Sequence, residues 1–413
     1  MARFILLCGA LIAAFFIANE LRAAELPLVS TTDDEQFPGQ LVEIDEKWNV
    51  TFAEGEQQRQ ILADELISWG NYRDREGNPL LILADGGIVA TNVLSVSRSH
   101  IKIEPTLWQP VDIPLELVRG IIFRPPSAVL QRDRLILQMQ SSDGVQDSLV
   151  LSNGDRLSGI LVEPKDAGNG EAFQLESSAG TFPIMRNKVQ AVTFNPALVD
   201  PQKPNPNHAQ VGFRDGSLLT VNKIKSLGNR LRLELPGEIT LETYADRPTR
   251  LWNDFTYVRP ANSRIVYLSD ITPIPNSFKH EPFIELSWPY KTDKNLLGGR
   301  LRAGGKVFTK GIAMHSASRL AYTLDGKYKR FEAQLALDDS AVDRGSVKFR
   351  VYLDNGTGKF RPAYQSKIIR GGERPDAISV DVSDARRMAL IVDFADHGDT
   401  MDRANWLNAC LIK

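Results

Sequence analysis

From Arg330 onward the chain alternates between apolar and polar positions. Phe331, Ala333, Leu335 and Leu337 are separated by Glu332, Gln334 and Ala336, and Val347, Phe349, Val351 and Leu353 by Lys348, Arg350 and Tyr352. Successive side chains of a strand point to opposite faces, so each run predicts a strand with one buried and one wet face. Gly- and Asp-rich turns separate the runs, and no helical period intervenes between residue 297 and the end. Several short strands of this kind predict a β-sandwich over residues 265–413. Its function is expected on loops gathered at one end.

A second pattern lies upstream. Apolar runs flank Asp85-Gly86, then Asn153-Gly154, and more weakly Asp215-Gly216. Such dipeptides between apolar runs predict tight hairpins, because both turn positions need positive φ. Residues 118–123 and 189–194 read as matching closing strands. A spacing of roughly 60 to 70 residues predicts small five-stranded SH3-like or Sm-like β-barrels, with residues 39–70 as a truncated first unit. After Pro125-Pro126 a short helix is predicted, with Ser127 as N-cap and its end near Met139. Residues 195–207 are rich in Pro and Asn and read as an exposed linker. Residues 270–296, with Pro273, Pro275, Pro282 and Pro289, read as an irregular lead-in whose Trp288-Pro289-Tyr290 packs on the sandwich.

At the N-terminus, Arg3 precedes an apolar run over residues 4–18 broken only by Gly9. This suits a signal-peptide core better than a span of about 20 residues. A cleavage point is expected after Ala23, with an uncleaved anchor as the alternative. The expected layout is a signal peptide at 1–24, a β-rich barrel-like region at 25–126, small barrels at 127–200 and 207–262, and the sandwich at 265–413. The mature chain would keep Cys410 alone, hence no internal disulfide. Secretion, or residence in the periplasm or cell envelope, is the expected destination, with no membrane span after cleavage. A hydrophobic content of 42% and a formal charge of −2 argue against a disordered tail and against a nucleic-acid binder.

The order Lys310-Gly311-Ile312, Met314-His315-Ser316, 320–324, Leu337-Asp338-Asp339, Gly345-Ser346-Val347 and Asp402-Arg403-Ala404-Asn405-Trp406 resembles the NPCBM family of carbohydrate-binding modules. That family occurs attached to family 98 glycoside hydrolases. The resemblance runs from residue 265 to the end, the C-terminal third only. It implies a galactose-binding-like jelly roll and a glycan or polysaccharide ligand, whereas periodicity alone predicts only the sandwich.

Candidate ligand residues follow, each with an ordinary structural role beside it. His315 reads as a hydrogen-bonded histidine near the core or as a ligand residue. Asp338 and Asp339 open a turn-rich loop, where they either cap backbone or hold calcium, the one cofactor considered. Their spacing is not that of an EF-hand. Asp393, Asp396, Asp399 and Asp402, interrupted by His397, form a solvated loop or, with Asn405, offer oxygens to sugar hydroxyls or an ion. Trp406 either stacks on a pyranose or packs in the core, on a face shared with Asn408, Cys410 and Ile412. Tyr352, on the polar face of its run, adds an exposed aromatic. The carbohydrate-binding set is thus His315, Tyr352, Asp402, Asn405 and Trp406.

Enzymatic motifs are absent: there is no G-x-S-x-G, H-E-x-x-H or P-loop, and the five histidines lack metal-ligand spacing. The leading expectation is an exported, non-catalytic glycan-binding protein. One alternative is an envelope or extracellular scaffold that binds another envelope protein through the retained fold. The other is a divergent glycoside hydrolase using Asp338 and Asp402.

Overall fold

The computed structural model describes residues 26–162, 172–245, 251–281, 287–396 and 398–413. The signal segment expected at 1–24 lies outside them, as does His397. In the C-terminal third the alternation becomes two facing antiparallel sheets. Their frame is β1 (Gly311–His315), β2 (Ser318–Thr323), β3 (Arg330–Leu337), β4 (Ser346–Asp354), β5 (Arg361–Gln365), β6 (Asp376–Asp381), β7 (Arg387–Phe394) and β8 (Arg403–Ile412). One sheet runs β1-β8-β3-β6 and the other β2-β7-β4-β5, which is the strand order of a jelly roll. Short strands extend both: Lys291–Thr292 beside β1, Lys279–His280 beside β2, and Ile265–Tyr267 along the far end of β8.

Phe331, Leu335, Val347, Phe349, Val351, Leu390 and Val392 meet between the sheets, all buried. Each contributes about 1.5–3 kcal/mol of transfer free energy. One strand departs from simple alternation. Gln334 pairs with Leu407, but Glu332 pairs with Cys410, so β8 carries one extra residue there. Asn408 takes it up at φ 49°. A bulge of this kind re-phases the strand. Trp406 therefore shares the inner face with Ala409 and Leu411, and the expected grouping of Trp406 with Asn408, Cys410 and Ile412 does not form.

Upstream, the three predicted turns place Gly86, Gly154 and Gly216 at φ between 91° and 94°, but Asp85, Asn153 and Asp215 before them are not at positive φ, so only the second of the two expected positions is left-handed. Each hairpin is followed by further strands and a last 3-10 turn: Leu115–Leu117, Arg186–Lys188 and Leu251–Asp254, the third unit carrying another at Pro236–Glu238. These lead into closing strands Val118–Ile122, Val189–Thr193 and Phe255–Pro260. The closing strands pair across units. Ile121 lies opposite Val192, and Val258 opposite Trp69 of the first unit. The repeats are thereby joined edge to edge in one sixteen-stranded sheet with a shared apolar core. Gly120 is needed at one such junction, since a Cβ there would stand 2.3 Å from the Val192 carbonyl oxygen.

Helix α1 (Val129–Gln140) starts one residue later than expected, with Ala128 in the N-cap position and no side-chain cap. It buries Arg132, Asp133, Leu135, Ile136 and Met139, one face at helical spacing. Against it stand Arg300 and Arg302, flanking and within the strand Leu301–Ala303 that precedes β1. Asp133 accepts from Arg300 Nε at 2.6 Å and Arg302 Nε at 2.7 Å. Asp74 accepts from Arg300 Nη2 at 2.5 Å and Arg302 Nη1 at 3.0 Å. Burial penalises the Asp74 charge, but hydrogen bonds and charges from Arg302, Arg300 and Arg132 hold its carboxyl well below the usual range. This network fastens the sandwich to the N-terminal sheet. Among the described residues no helix is long and apolar enough to cross a membrane.

Candidate functional site

Three connections meet at one end of the jelly roll: β1–β2, β3–β4 and β7–β8. Buried Asp402 ties two of them, its Oδ1 accepting the Ser346 N–H at 2.8 Å. The Ser346 hydroxyl donates to the Asp396 carbonyl at 2.8 Å. Arg403 Nη1 donates to the Ser340 carbonyl and hydroxyl at 3.0 and 3.2 Å. The loops approach so closely that Gly345, at φ 78°, has the Met401 carbonyl oxygen 2.5 Å from where a Cβ would lie.

On this end His315 closes β1, opposite Arg403 on β8. Its ring lies flat against Trp288 (centroids 5.4 Å apart, planes 8°) and edge-on to His280 at 5.7 Å. His315 Nδ1 donates to the Ser316 carbonyl at 3.2 Å. His280 Nε2 donates to the same oxygen at 3.1 Å, while its Nδ1 accepts the Trp288 N–H at 3.3 Å. These partners fix both tautomers. Burial lowers the His315 pKa, His280 and Arg403 add to this, and Ser316 and Asp399 oppose it in part. The neutral ring therefore backs the indole. Trp288 itself is only half-buried, so part of its surface stays open at the loop end. The arrangement is an aromatic plate with a carboxylate, Asp399, and a guanidinium, Arg403, nearby.

The predicted residues divide into three groups. His315 and Asp402 come together at this end, with the Ser316 hydroxyl beside Asp402 but making no hydrogen bond of normal geometry. Burial pushes the Asp402 carboxyl up to about 6. Asn405 and Trp406 are interior instead. Trp406 is 0% exposed, edge-on to Phe349 at 4.9 Å, so no pyranose reaches its face. Asn405 Nδ2 donates to Asp338 at 3.2 Å. Tyr352 stands half-buried toward the far end of β4, six residues from Ser346 and hence about 20 Å along the strand.

Asp338 and Asp339 point to different donors. Asp338 accepts from the Ser340 N–H at 3.1 Å besides Asn405, and burial raises its pKa. Asp339 accepts the Gly304 and Gly305 N–H groups at 2.7 and 3.0 Å. N–H donors thus take the oxygens that calcium would need, and the pair caps backbone. Among the described residues no three His, Cys, Asp or Glu side chains converge on a metal position. Trp288 packs on the sandwich as expected, but neither it nor His280 was legible as a site residue, because an irregular Pro-rich stretch has no period to show which side chains reach the loop end.

Residues 264–412 match the family model of the NPCBM/NEW2 domain. A Renibacterium salmoninarum protein described as an endo-alpha-N-acetylgalactosaminidase is 27% identical over 112 residues, 27% of this chain and 7% of that protein. The alpha-1,3-galactosidase B of Akkermansia muciniphila is 27% identical over 122 residues, 29% of this chain and 15% of that protein. The chain thus spans less than a sixth of either relative. A CBM51 from a Clostridium perfringens GH95, solved with methyl-galactose, is 24% identical, with a TM-score of 0.30 over 36% of this chain and 99% of that one. The C-terminal third of the chain is an NPCBM/NEW2 domain.

Proposed function

We propose that this is an exported, non-catalytic protein that binds glycan at the loop end of its jelly roll. The observation carrying the reading is the half-open Trp288 indole, braced flat by His315, with Asp399 and Arg403 nearby. An aromatic face plus a few directed polar groups suits one sugar ring. The domain match supports a carbohydrate ligand, and the relatives' names point to galactose or N-acetylgalactosamine residues. His315 positions the plate, Asp402 and Ser346 hold the loops, and Arg403 offers its guanidinium to hydroxyls. Tyr352 stands outside this site.

A non-catalytic role is supported by the state of the two candidate acids. Glycoside hydrolysis needs carboxyls facing the scissile bond. Asp338 and Asp402 are 2% and 0% exposed and occupied with backbone N–H groups. Export rests on Arg3 and the apolar run behind it. Calorimetric titration of the full chain with methyl-galactoside and N-acetylgalactosamine tests the reading. Binding that Trp288→Ala weakens by about tenfold, near the cost of one lost stacking contact, is expected. Affinity unchanged in Trp288→Ala, or no saccharide retained on a glycan array, would overturn it.

A further inference from the structure

Of the chain's six tryptophans, four are at most 2% exposed, and only Trp288 and Trp252 are partly open. Packing explains a buried indole, whereas an open one leaves apolar surface in water. Trp288 belongs to the loop end. Trp252 belongs to the N-terminal sheet, on the 3-10 turn Leu251–Asp254, and lines a cavity of about 570 Å³. This is within the range that holds a small ligand.

The cavity lies where the third unit meets the first. The turn and Phe255 form one side, and strand Gln40–Ile44 and Trp69 form the other. Its floor is buried and aromatic, made by Trp69 and Phe255 with Leu41 beside them. Trp69 Nε1 donates to the Gly39 carbonyl at 2.8 Å, and Phe255 packs on Phe213 with centroids 4.9 Å apart. The rim is held as firmly. The Arg214 N–H donates to the Asp254 carbonyl at 2.8 Å and its guanidinium pairs with the Asp254 carboxylate, which anchors the turn. Trp252 rests against Phe255 at 5.3 Å. Gln40 and Asn253 stand exposed on the rim, and their side-chain amides engage no other group among the described residues. No residue lining the cavity is charged.

We infer that this cavity is a second saccharide site, one for neutral sugars of gluco configuration. In a β-linked gluco-configured ring every hydroxyl and linkage oxygen is equatorial, so both ring faces present C–H groups that suit the Trp252 indole. Primary amides donate and accept at once, so Gln40 and Asn253 match neighbouring hydroxyls at the ring edge. A uronate or sulfated sugar is disfavoured, because nothing in the lining would pair its charge. The site lies outside the jelly roll and stands independently of the loop-end reading.

The test is calorimetric titration of the full chain carrying Trp288→Ala, which silences the loop end, with cellotriose and chitotriose at low and high salt. Saturable binding of at least one probe is expected, with the same affinity at both salt levels, since no ion pair is there to screen. Adding Trp252→Ala should weaken it by about tenfold, near the cost of one stacking contact. Asn253→Ala, at an exposed position, should weaken it by about three- to tenfold, the cost of one hydrogen bond. Trp252→Ala alone should leave methyl-galactoside binding as in wild type, which separates the two sites. Circular dichroism checks that each variant is folded. The inference is overturned if neither probe binds, if Trp252→Ala and Asn253→Ala both leave the affinity unchanged, or if binding falls steeply with salt.

Discussion

Asp402 offers a measurable consequence of burial. Its carboxyl is 0% exposed and is pushed from an ordinary 3.8 up to about 6 by burial, with Asp399 adding and Ser316 and Ser346 offsetting in part. Between those two values the folded state binds the proton and the unfolded state has released it. Stability therefore falls as pH rises through this window and levels off above it. Two units correspond to about 3 kcal/mol, and about 2 kcal/mol of that develops above about pH 4.5. Asp402→Asn is nearly isosteric and cannot ionise. Its Oδ1 can still accept the Ser346 N–H, and its amide can donate to the Ser316 hydroxyl. The variant should gain on wild type by about 2 kcal/mol between about pH 4.5 and 7.5. Urea unfolding of both proteins across that range, followed by tryptophan fluorescence, measures the difference, in which other titrating groups cancel. A difference independent of pH, or a variant less stable than wild type at the alkaline end, would refute the reasoning.

Other expectations can be checked with the same proteins. Asp133→Leu removes one carboxylate from beneath Arg300 and Arg302 and should cost about 3–5 kcal/mol in urea unfolding, the usual penalty of stranding a buried charge. Trp406→Ala empties the space against Phe331 and Phe349 and should cost about 3–5 kcal/mol, read as a lowered thermal midpoint. Trp288→Ala, at a half-buried position, should cost far less stability than that while losing sugar affinity. Calcium or EDTA should leave the midpoint unchanged, since N–H groups occupy Asp338 and Asp339; a rise of several degrees with calcium would contradict their capping role.

Strands were legible wherever one face is buried and the other is wet. Phe331 and Val347 and their alternating neighbours went where period two put them. The turn glycines went where tight hairpins require positive φ. What failed was local. A single extra residue at Asn408 re-phased β8, and no pattern of polarity announces a bulge. The polar face of Leu301–Ala303 was equally opaque. Arg300 and Arg302 alternate with Leu301 and Ala303 as a solvated face would, yet both are under a tenth exposed because their partners, Asp74 and Asp133, lie far away in sequence. The candidate site followed the same division. His315 and Asp402 were named from their place in the ordered segments and lie together at the loop end, whereas Trp288 needed the fold to bring it over His315.

The arginine network also sets how the jelly roll joins the N-terminal sheet. Three guanidinium groups, Arg132, Arg300 and Arg302, face Asp74 and Asp133, with half-exposed-to-open Glu76 at 3.6 Å from Arg132. Burying so many charges yields little net stability over apolar packing. What paired forks do supply is geometry, since each fits its carboxylate in few orientations. Asp74 and Asp133 belong to the N-terminal part and Arg300 and Arg302 to the approach to β1, so the network holds the two parts in one setting. Asp133→Leu should thus loosen this joint, read as faster proteolysis between the two parts, while methyl-galactoside binding at Trp288 persists. Loss of methyl-galactoside binding would mean that the variant had unfolded the jelly roll, and unchanged proteolysis would mean that the joint holds without the network.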